Sequence, residues 1–474
     1  MVEVSLEKES IQQKSATEKE PSVREVLKNA PFMVLFGAQF TQNVAAAVSW
    51  LALTYFIYTL TDSPGLMGLL SVVYWLPYVL ITPFAGVYVD RLDQRKIMLT
   101  ANIISLIASI GYVLIYIFRE SLIIHTLIIT ELSSGAVYIL DIVNYAHVLW
   151  PLYLFTFLNS TAGAFFFPSR NAYTRLIVTK KNLLIANSIG STIYQIATII
   201  GYSLAGFIAS ISYLASFIFD ASTFVLSLSL IILLLGIGQK PPERMLKKEE
   251  TAQEKIKSVF DDLKIGFKTI QETPKVAYML FLFAFAIFSF AAFNVLFIVI
   301  LEGEMGLGTT MYGFMQSIMG ISGIITSLII MRIGRIDKKI LMLNIVIAGL
   351  SVIIFFFAIV RNIWGIGVIL FLLGIGLVLV NIPATTLIQE SIPYEKQGRV
   401  FGTQQLIQGG SRLLGMGIVS LIAEAILPKY ILIGSTGILT IALIGGFIFC
   451  IRNNLLGSDY AEKTSQQIAT TIDT

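Results

Sequence analysis

The chain lacks most of what a soluble enzyme is built from. Of 474 residues, one is cysteine (Cys450) and two are histidine (His125 and His147). An intrachain disulfide is therefore excluded, and two distant histidines fall short of a metal site. Charged residues make up 13% of the chain, where soluble domains carry about 25%. No G-x-x-x-x-G-K-[ST] loop, H-E-x-x-H pair or G-x-S-x-G elbow occurs, which argues against ATP hydrolysis and the common hydrolase chemistries. The reading is no enzyme and no cofactor. Residues 1–30 also lack a signal-peptide core; with five bases and six acids they are read as a disordered cytoplasmic tail.

What the chain has is apolar length. Hydrophobic residues reach 56% and mean hydropathy is +0.81. A helix crossing a bilayer needs about 20 predominantly apolar residues, and backbone groups in hydrocarbon must pair internally, which makes such runs helices. Twelve runs qualify: 31–60, 65–89, 97–118, 148–168, 183–212, 214–238, 277–301, 308–331, 340–361, 363–388, 400–426 and 430–452. The expected fold is an all-α membrane protein of twelve transmembrane helices in two six-helix bundles.

Positive charge orients it. Of 33 Lys and Arg, 29 fall in segments on one side of that layout. Arg119, Arg361 and Lys429 fall on the other side, and Arg412 lies inside a span. The asymmetry places both termini in the cytoplasm of a multi-pass plasma-membrane protein. The bases sit in short loops as topology determinants, so no nucleic-acid partner is expected; lipids and a small-molecule substrate are, with the protein a monomer.

The division is an N-terminal bundle at 31–238, a cytoplasmic linker at 239–276, a C-terminal bundle at 277–452 and a cytoplasmic tail at 453–474. The linker opens with Pro241-Pro242 and a charge run; then Ile256, Phe260, Leu263, Phe267 and Ile270 recur at helical spacing. That pattern fits an amphipathic helix on the membrane surface as well as a solvated tie. An internal repeat supports two halves. Gly201-Tyr-Ser-Leu-Ala-Gly-Phe-Ile-Ala209 resembles Gly415-Met-Gly-Ile-Val-Ser-Leu-Ile-Ala423, and Pro168 and Pro383 are each expected to end the preceding span. Six plus six helices about an axis along the membrane normal is a transporter architecture. Residues 119–147 break the pattern; they are read as a partly apolar external hairpin on or dipping into the membrane, with no function assigned.

The strongest local motif follows the second span: Gly86-Val-Tyr-Val-Asp90-Arg91-Leu-Asp-Gln-Arg95-Lys96. Gly86 permits close helix approach, and Asp90 with Arg91 and Arg95 can form an ionic latch between halves, made in one state and broken in the other. A positive-inside anchor with incidental acids is the plainer reading. Gly334-Arg335-Ile-Asp337-Lys338-Lys339 is a weakened copy, with Gly334 where Asp90 stands.

Polar residues inside spans are expensive in lipid and mark cavities or partners. Gln404, Gln405, Gln408, Ser411 and Arg412 share one arc of a helix. Arg412, near midplane, is expected to bind an anionic substrate group or to pair with Asp220 or Glu424. Gln39, Gln42, Asn43, Ser49 and Trp50 form a similar stripe on the first span, and Tyr74 and Trp75 are candidate pocket aromatics. Asp220 is the clearest intramembrane acid and the candidate for proton coupling, with packing or capping as its alternative role.

The motif at 86–96 resembles the loop signature of the major facilitator superfamily. Three segments narrow the resemblance: Phe165-Phe-Phe-Pro168 through Ala186-Asn187, Asp220-Ala-Ser-Thr-Phe224-Val-Leu-Ser227, and Ile388-Gln-Glu390-Ser-Ile-Pro393 through Gly398-Arg399-Val400-Phe401-Gly402. They resemble the branch of macrolide-efflux proteins and the enterobactin exporter. The resemblance implies a cavity ringed by the first, fourth, seventh and tenth spans, and thus Gln39, Asn43, Asn159, Asn294 and Asn381 as substrate contacts. Where family antiporters carry G-P-x-x-G-G, this chain reads Gly201-Tyr202-Ser-Leu-Ala205-Gly206, which leaves transport direction open. The resulting expectation is a proton-driven exporter of amphipathic or hydrophobic small molecules. Rivals are an uptake symporter, a lipid or siderophore carrier on the same fold, and a non-transporting receptor.

Overall fold

The structure is a computed structural model that describes residues 22–89, 92–131, 137–179, 182–240, 252–333, 338–453 and 455. Asp90 and Arg91 of the latch motif, Gly334 to Asp337 of its copy, Pro241-Pro242 and most of both tails lie outside the described residues.

The chain runs up and down as long helices. In order these are α1 (Val23–Leu27), α2 (Ala30–Thr61), α3 (Pro64–Leu80), α4 (Thr82–Val89), α5 (Gln94–Leu122), α6 (Ala146–Ile177), α7 (Leu183–Ile211) and α8 (Tyr213–Ile237). After the linker come α9 (Ala252–Glu272), α10 (Pro274–Ile298), α11 (Gly308–Ile333), α12 (Lys339–Ile359), α13 (Ile363–Ser391), α14 (Tyr394–Ile422) and α15 (Pro428–Arg452). A π-helical turn, Val299–Glu304, extends α10. Among the described residues ten helices are long and apolar enough to cross a membrane; α6 and α14 have the length but not the composition.

Local chemistry sets the starts. Asn29 Oδ1 accepts from Phe32 N at 3.1 Å and opens α2; Ser63 Oγ accepts from Leu66 N at 3.0 Å and opens α3. Each cap is followed by proline in the first turn, where its missing N–H costs nothing. Between them α2 stops at Asp62, whose φ of 51° is left-handed, a conformation aspartate tolerates better than most residues.

Two expectations about helix ends are corrected. Pro168 lies inside α6 and Pro383 inside α13; neither ends its span. Each removes one backbone donor, a loss neighbouring helices and side chains can cover in a packed membrane bundle. The tail expected to be disordered through residue 30 is helical over Val23–Leu27. It is tied down because Asn182 Oδ1 accepts from Ser22 N at 3.0 Å, and Asn182 Nδ2 donates to Glu25 Oε2 at 3.0 Å.

Residues 119–147 depart from an all-helical chain. β1 (Ile124–Glu131) and β2 (Val137–Asn144) pair antiparallel, Ile124 opposite Asn144. This hairpin marks one end of the molecule, and α9 marks the other.

In the first half α2 packs on α7 and α8, α5 on α6 and α8, and α3 on α6. In the second α10 packs on α14 and α15, α11 on α13, and α12 on α13 and α15. The halves meet along two seams, α7 against α11 and α3 against α14. The repeated segments explain their own sequence. A Cβ on Gly201 would stand 2.8 Å from Ala47 Cβ of α2, and one on Gly415 2.9 Å from Ala291 Cβ of α10. Both glycines let the fifth helix of a half close on its first.

Candidate functional site

A cavity of about 900 Å³ lies between the halves. At the hairpin end it is capped by contacts across both seams. Thr309 Oγ1 donates to Gly206 O at 3.3 Å, and Ser203 Oγ and Ser317 Oγ share a hydrogen bond of 2.8 Å. Ser63 Oγ donates to Glu424, and Tyr55 OH reaches Gly308 O at 3.5 Å. Gly206 and Gly313 make this closeness possible: a Cβ on Gly206 would meet Thr309 O at 2.7 Å. Toward the linker end the lining reaches Thr82, Asn171, Leu263 and Gly402, and Asn171, Gly402 and Gln405 are exposed. The cavity therefore opens to the α9 end.

One wall is aromatic. Trp50 of α2 packs on Tyr74 of α3 at 4.9 Å between ring centroids. Tyr74, Trp75 and Tyr78 then cluster with centroids 5.5–5.7 Å apart. Facing this shelf, α14 presents Gln405, Gln408 and Arg412. The Arg412 guanidinium lies 4.0 Å from the centre of the Trp75 ring, a cation–π contact that joins the two halves.

Of the residues singled out from sequence, Asn43, Trp50, Asn159, Asn294, Gln408 and Arg412 line the cavity. Gln39 and Asn381 do not. Gln39 is buried within the first half with Oε1 unpartnered. Asn381 is exposed on α13, and its Nδ2 donates to Leu377 O at 2.8 Å within its own helix. No residue of α13 lines the cavity, because α13 is engaged by α11 and α12; α14 takes the place expected of the tenth span.

The expected acid partners of Arg412 are also absent. Glu424 is held by Ser63. Asp220 is fully buried in α8, where Ser109 Oγ donates to its Oδ2 at 2.5 Å and Oδ1 has no partner. Asp220 stands behind the cavity wall, one turn from the lining residue Phe224. Arg95 is committed within the first half. Its Nη2 donates to Asp93 Oδ2 at 2.8 Å, and its Nη1 to Leu235 O and Gly238 O at 3.3 and 3.1 Å. In this conformation it clamps α5 to the end of α8 rather than bridging the halves. Gly86 lies in α4.

Sequence reasoning missed Tyr78, Tyr194, Tyr202 and Tyr312, all in the lining. The signal was present for three of them. Tyr74 and Tyr78 are four apart, and Tyr194, Thr198 and Tyr202 repeat every four residues on α7, one polar-tipped stripe per helix face.

The Major Facilitator Superfamily profile matches residues 35–416. The chain is 25% identical over 407 residues to the uncharacterized MFS-type transporter YfiS of Bacillus subtilis (strain 168), covering 81% of this chain and 85% of that protein. It is 23% identical over 425 residues to macrolide efflux protein A of Streptococcus pyogenes, covering 89% and 96%. Among solved structures it resembles a bacterial homologue of the iron transporter ferroportin, at 14% identity. The TM-score is 0.66 for the inward-facing state, covering 90% of this chain and 98% of the other, and 0.55 for the outward-facing state, covering 88% and 98%.

Proposed function

Because the chain belongs to the major facilitator superfamily, we propose that it is a secondary active transporter, a proton-driven exporter of amphipathic or hydrophobic small molecules. Twelve spans in two bundles, with both termini cytoplasmic, would rock about the central cavity in the plasma membrane. The observation that carries this reading is the one-sided cavity, sealed between halves at the hairpin end and open toward α9. Such a cavity is one of the two end states that alternating access requires. The higher similarity to the inward-facing than to the outward-facing ferroportin homologue supports the same assignment of state. Export is favoured by the macrolide efflux relative.

Asp90 and Arg91 would latch the outward-open state, in which the linker end closes. Asp220 would carry the proton: it is a buried acid with no basic partner among the described residues, one turn from the cavity wall. The test is proton flux in proteoliposomes under an imposed pH gradient, with a panel of dyes, macrolides and siderophores. Compound-dependent dissipation of the gradient is expected with wild type. Asp220→Asn should lose the proton flux and Asp90→Asn should slow it, both remaining monodisperse in detergent. Wild-type proton flux in Asp220→Asn refutes the relay, wild-type rates in Asp90→Asn refute the latch, and no dissipation by any compound refutes proton-driven export.

A further inference from the structure

Among the described residues that line the cavity, Arg412 is the one charged side chain; no aspartate, glutamate, lysine or histidine accompanies it. Its surroundings fix how it can act. The guanidinium carbon lies over the Trp75 ring, 4.0 Å from its centre. Its N–H edges have no hydrogen-bond or carboxylate partner among the described residues, and the side chain is half-buried. A guanidinium held over an aromatic ring, with no carboxylate taking its N–H groups, keeps its fork of donors free to grip a carboxylate, sulfonate or phosphate through two parallel hydrogen bonds. Gln408 and Gln405, about one and two turns from Arg412 along the same face of α14 toward the linker end, add amide donors to the lining. Next to this fork stands the shelf of Trp50, Tyr74, Trp75 and Tyr78, with Tyr194, Tyr202 and Tyr312 on other walls. Ring faces and edges of this kind favour flat aromatic bodies.

We infer that the cavity selects an aromatic organic anion, its acidic group on Arg412 and its rings on the Trp–Tyr shelf, and discriminates against organic cations. This selectivity rests on the reading of the cavity as the cargo site. It separates the chain from transporters of basic drugs: a protonated amine would find no carboxylate in the lining and would be repelled by the fixed positive charge. An alkyl anion or a lipid phosphate could share the fork but not the shelf.

The test uses four probes on the purified full-length protein in a non-ionic detergent free of anionic lipid: 2-naphthalenesulfonate, 2-naphthalenesulfonamide, 2-naphthylmethylammonium and n-octanesulfonate. Binding is measured by calorimetry. The naphthalenesulfonate is expected to bind about tenfold or more tightly than the neutral sulfonamide, and the ammonium more weakly than either. The octanesulfonate should bind more weakly than its aromatic counterpart. Arg412→Gln should erase the preference for the anion, the sulfonate losing far more affinity than the sulfonamide, and Arg412→Lys should retain part of it. Equal affinity for the three naphthalene probes, tighter binding of the ammonium or no measurable binding of the sulfonate overturns the inference. So does equal weakening of all three by Arg412→Gln, which would mark a structural arginine. Tighter binding of octanesulfonate overturns the aromatic half. Flux of the same probes into vesicles keeps the two readings apart: charge-selective binding without flux removes the transporter reading and leaves the anion site, whereas flux without charge preference does the reverse.

Discussion

Arg412 is tolerated near the middle of a helix because that helix does not face lipid with this side. A central arginine costs about 2.5–3.5 kcal/mol on insertion scales. The cation–π contact with Trp75 returns roughly 0.5–2 kcal/mol, and the open cavity supplies water for the rest. The polar stripe holding Arg412 was legible from spacing alone. Its partner was not, because Trp75 lies on another helix in the other half, and one sequence carries no pairing between helices. The same limit explains Asp220, readable as an unusual acid but not as a neighbour of Ser109 rather than Arg412. At the turn before α5, burial raises the Asp93 pKa, but hydrogen bonds from Arg95 outweigh it and hold the carboxyl below its usual value. A group whose folded pKa is depressed contributes stability that is full above the unfolded value of about 3.9 and is lost as pH falls through the folded one. Thermal stability in detergent should therefore fall with acidification below that range, and Asp93→Asn should be less stable near neutrality with a flatter acid limb. Parallel acid limbs in the two proteins would show that the Arg95 contact contributes nothing.

Most helices were legible as apolar runs. α6 and α14, read from sequence as the spans 148–168 and 400–426, have the length of a span but not its apolar composition; both line the cavity, and a helix with one face toward water need not be apolar all round. The start of α14 at Tyr394, six residues before the expected 400, follows from the polar first turns of that helix. The break at 119–147 was legible as a hairpin but not as two paired strands, since alternating short strands give a weak signal beside long apolar helices. The linker helix α9 is fastened to α14 in two ways, an ion pair and a close packing contact. Arg399 Nε donates to Asp262 Oδ1 at 2.7 Å, but both side chains are about half exposed, at 40% and 53%. Such a pair contributes less than about 1 kcal/mol. Gly266 instead lies against the α14 backbone, where a Cβ would meet Arg399 O at 2.7 Å. Forcing a larger side chain into a packed contact costs about 1–3 kcal/mol. Gly266→Leu should therefore free α9 to limited proteolysis while Asp262→Ala leaves it protected. The reverse order would mean that charge, not packing, holds the linker.

At the scale of the molecule, two halves share one cavity, and the contacts between them are of two kinds. At the hairpin end they are small-residue approaches and hydroxyl hydrogen bonds around Gly206, Gly313, Ser203 and Ser317. Tyr55 and Tyr312 add an aromatic contact there, ring centroids 5.6 Å apart, within a buried apolar cluster that spans both halves. Deeper in, Trp75 and Arg412 touch across the cavity, so a bound anion would act on a contact that spans both halves. Two halves were legible in the repeat at 201–209 and 415–423; which end is closed was not, since one sequence serves both states. If the closed hairpin end is one stage of a transport cycle, fixing it shut must stop the cycle. Ser203 and Ser317 are placed for this, with Oγ atoms 2.8 Å apart on α7 and α11, and the lone native Cys450 can be replaced by alanine. The measurement is gradient-driven flux by the Ser203→Cys, Ser317→Cys protein in vesicles, oxidised and then reduced, with a compound that dissipates the gradient in the wild type. Flux should vanish when the disulfide forms and return on reduction. Undiminished flux through fully cross-linked protein would contradict alternating access about this cavity.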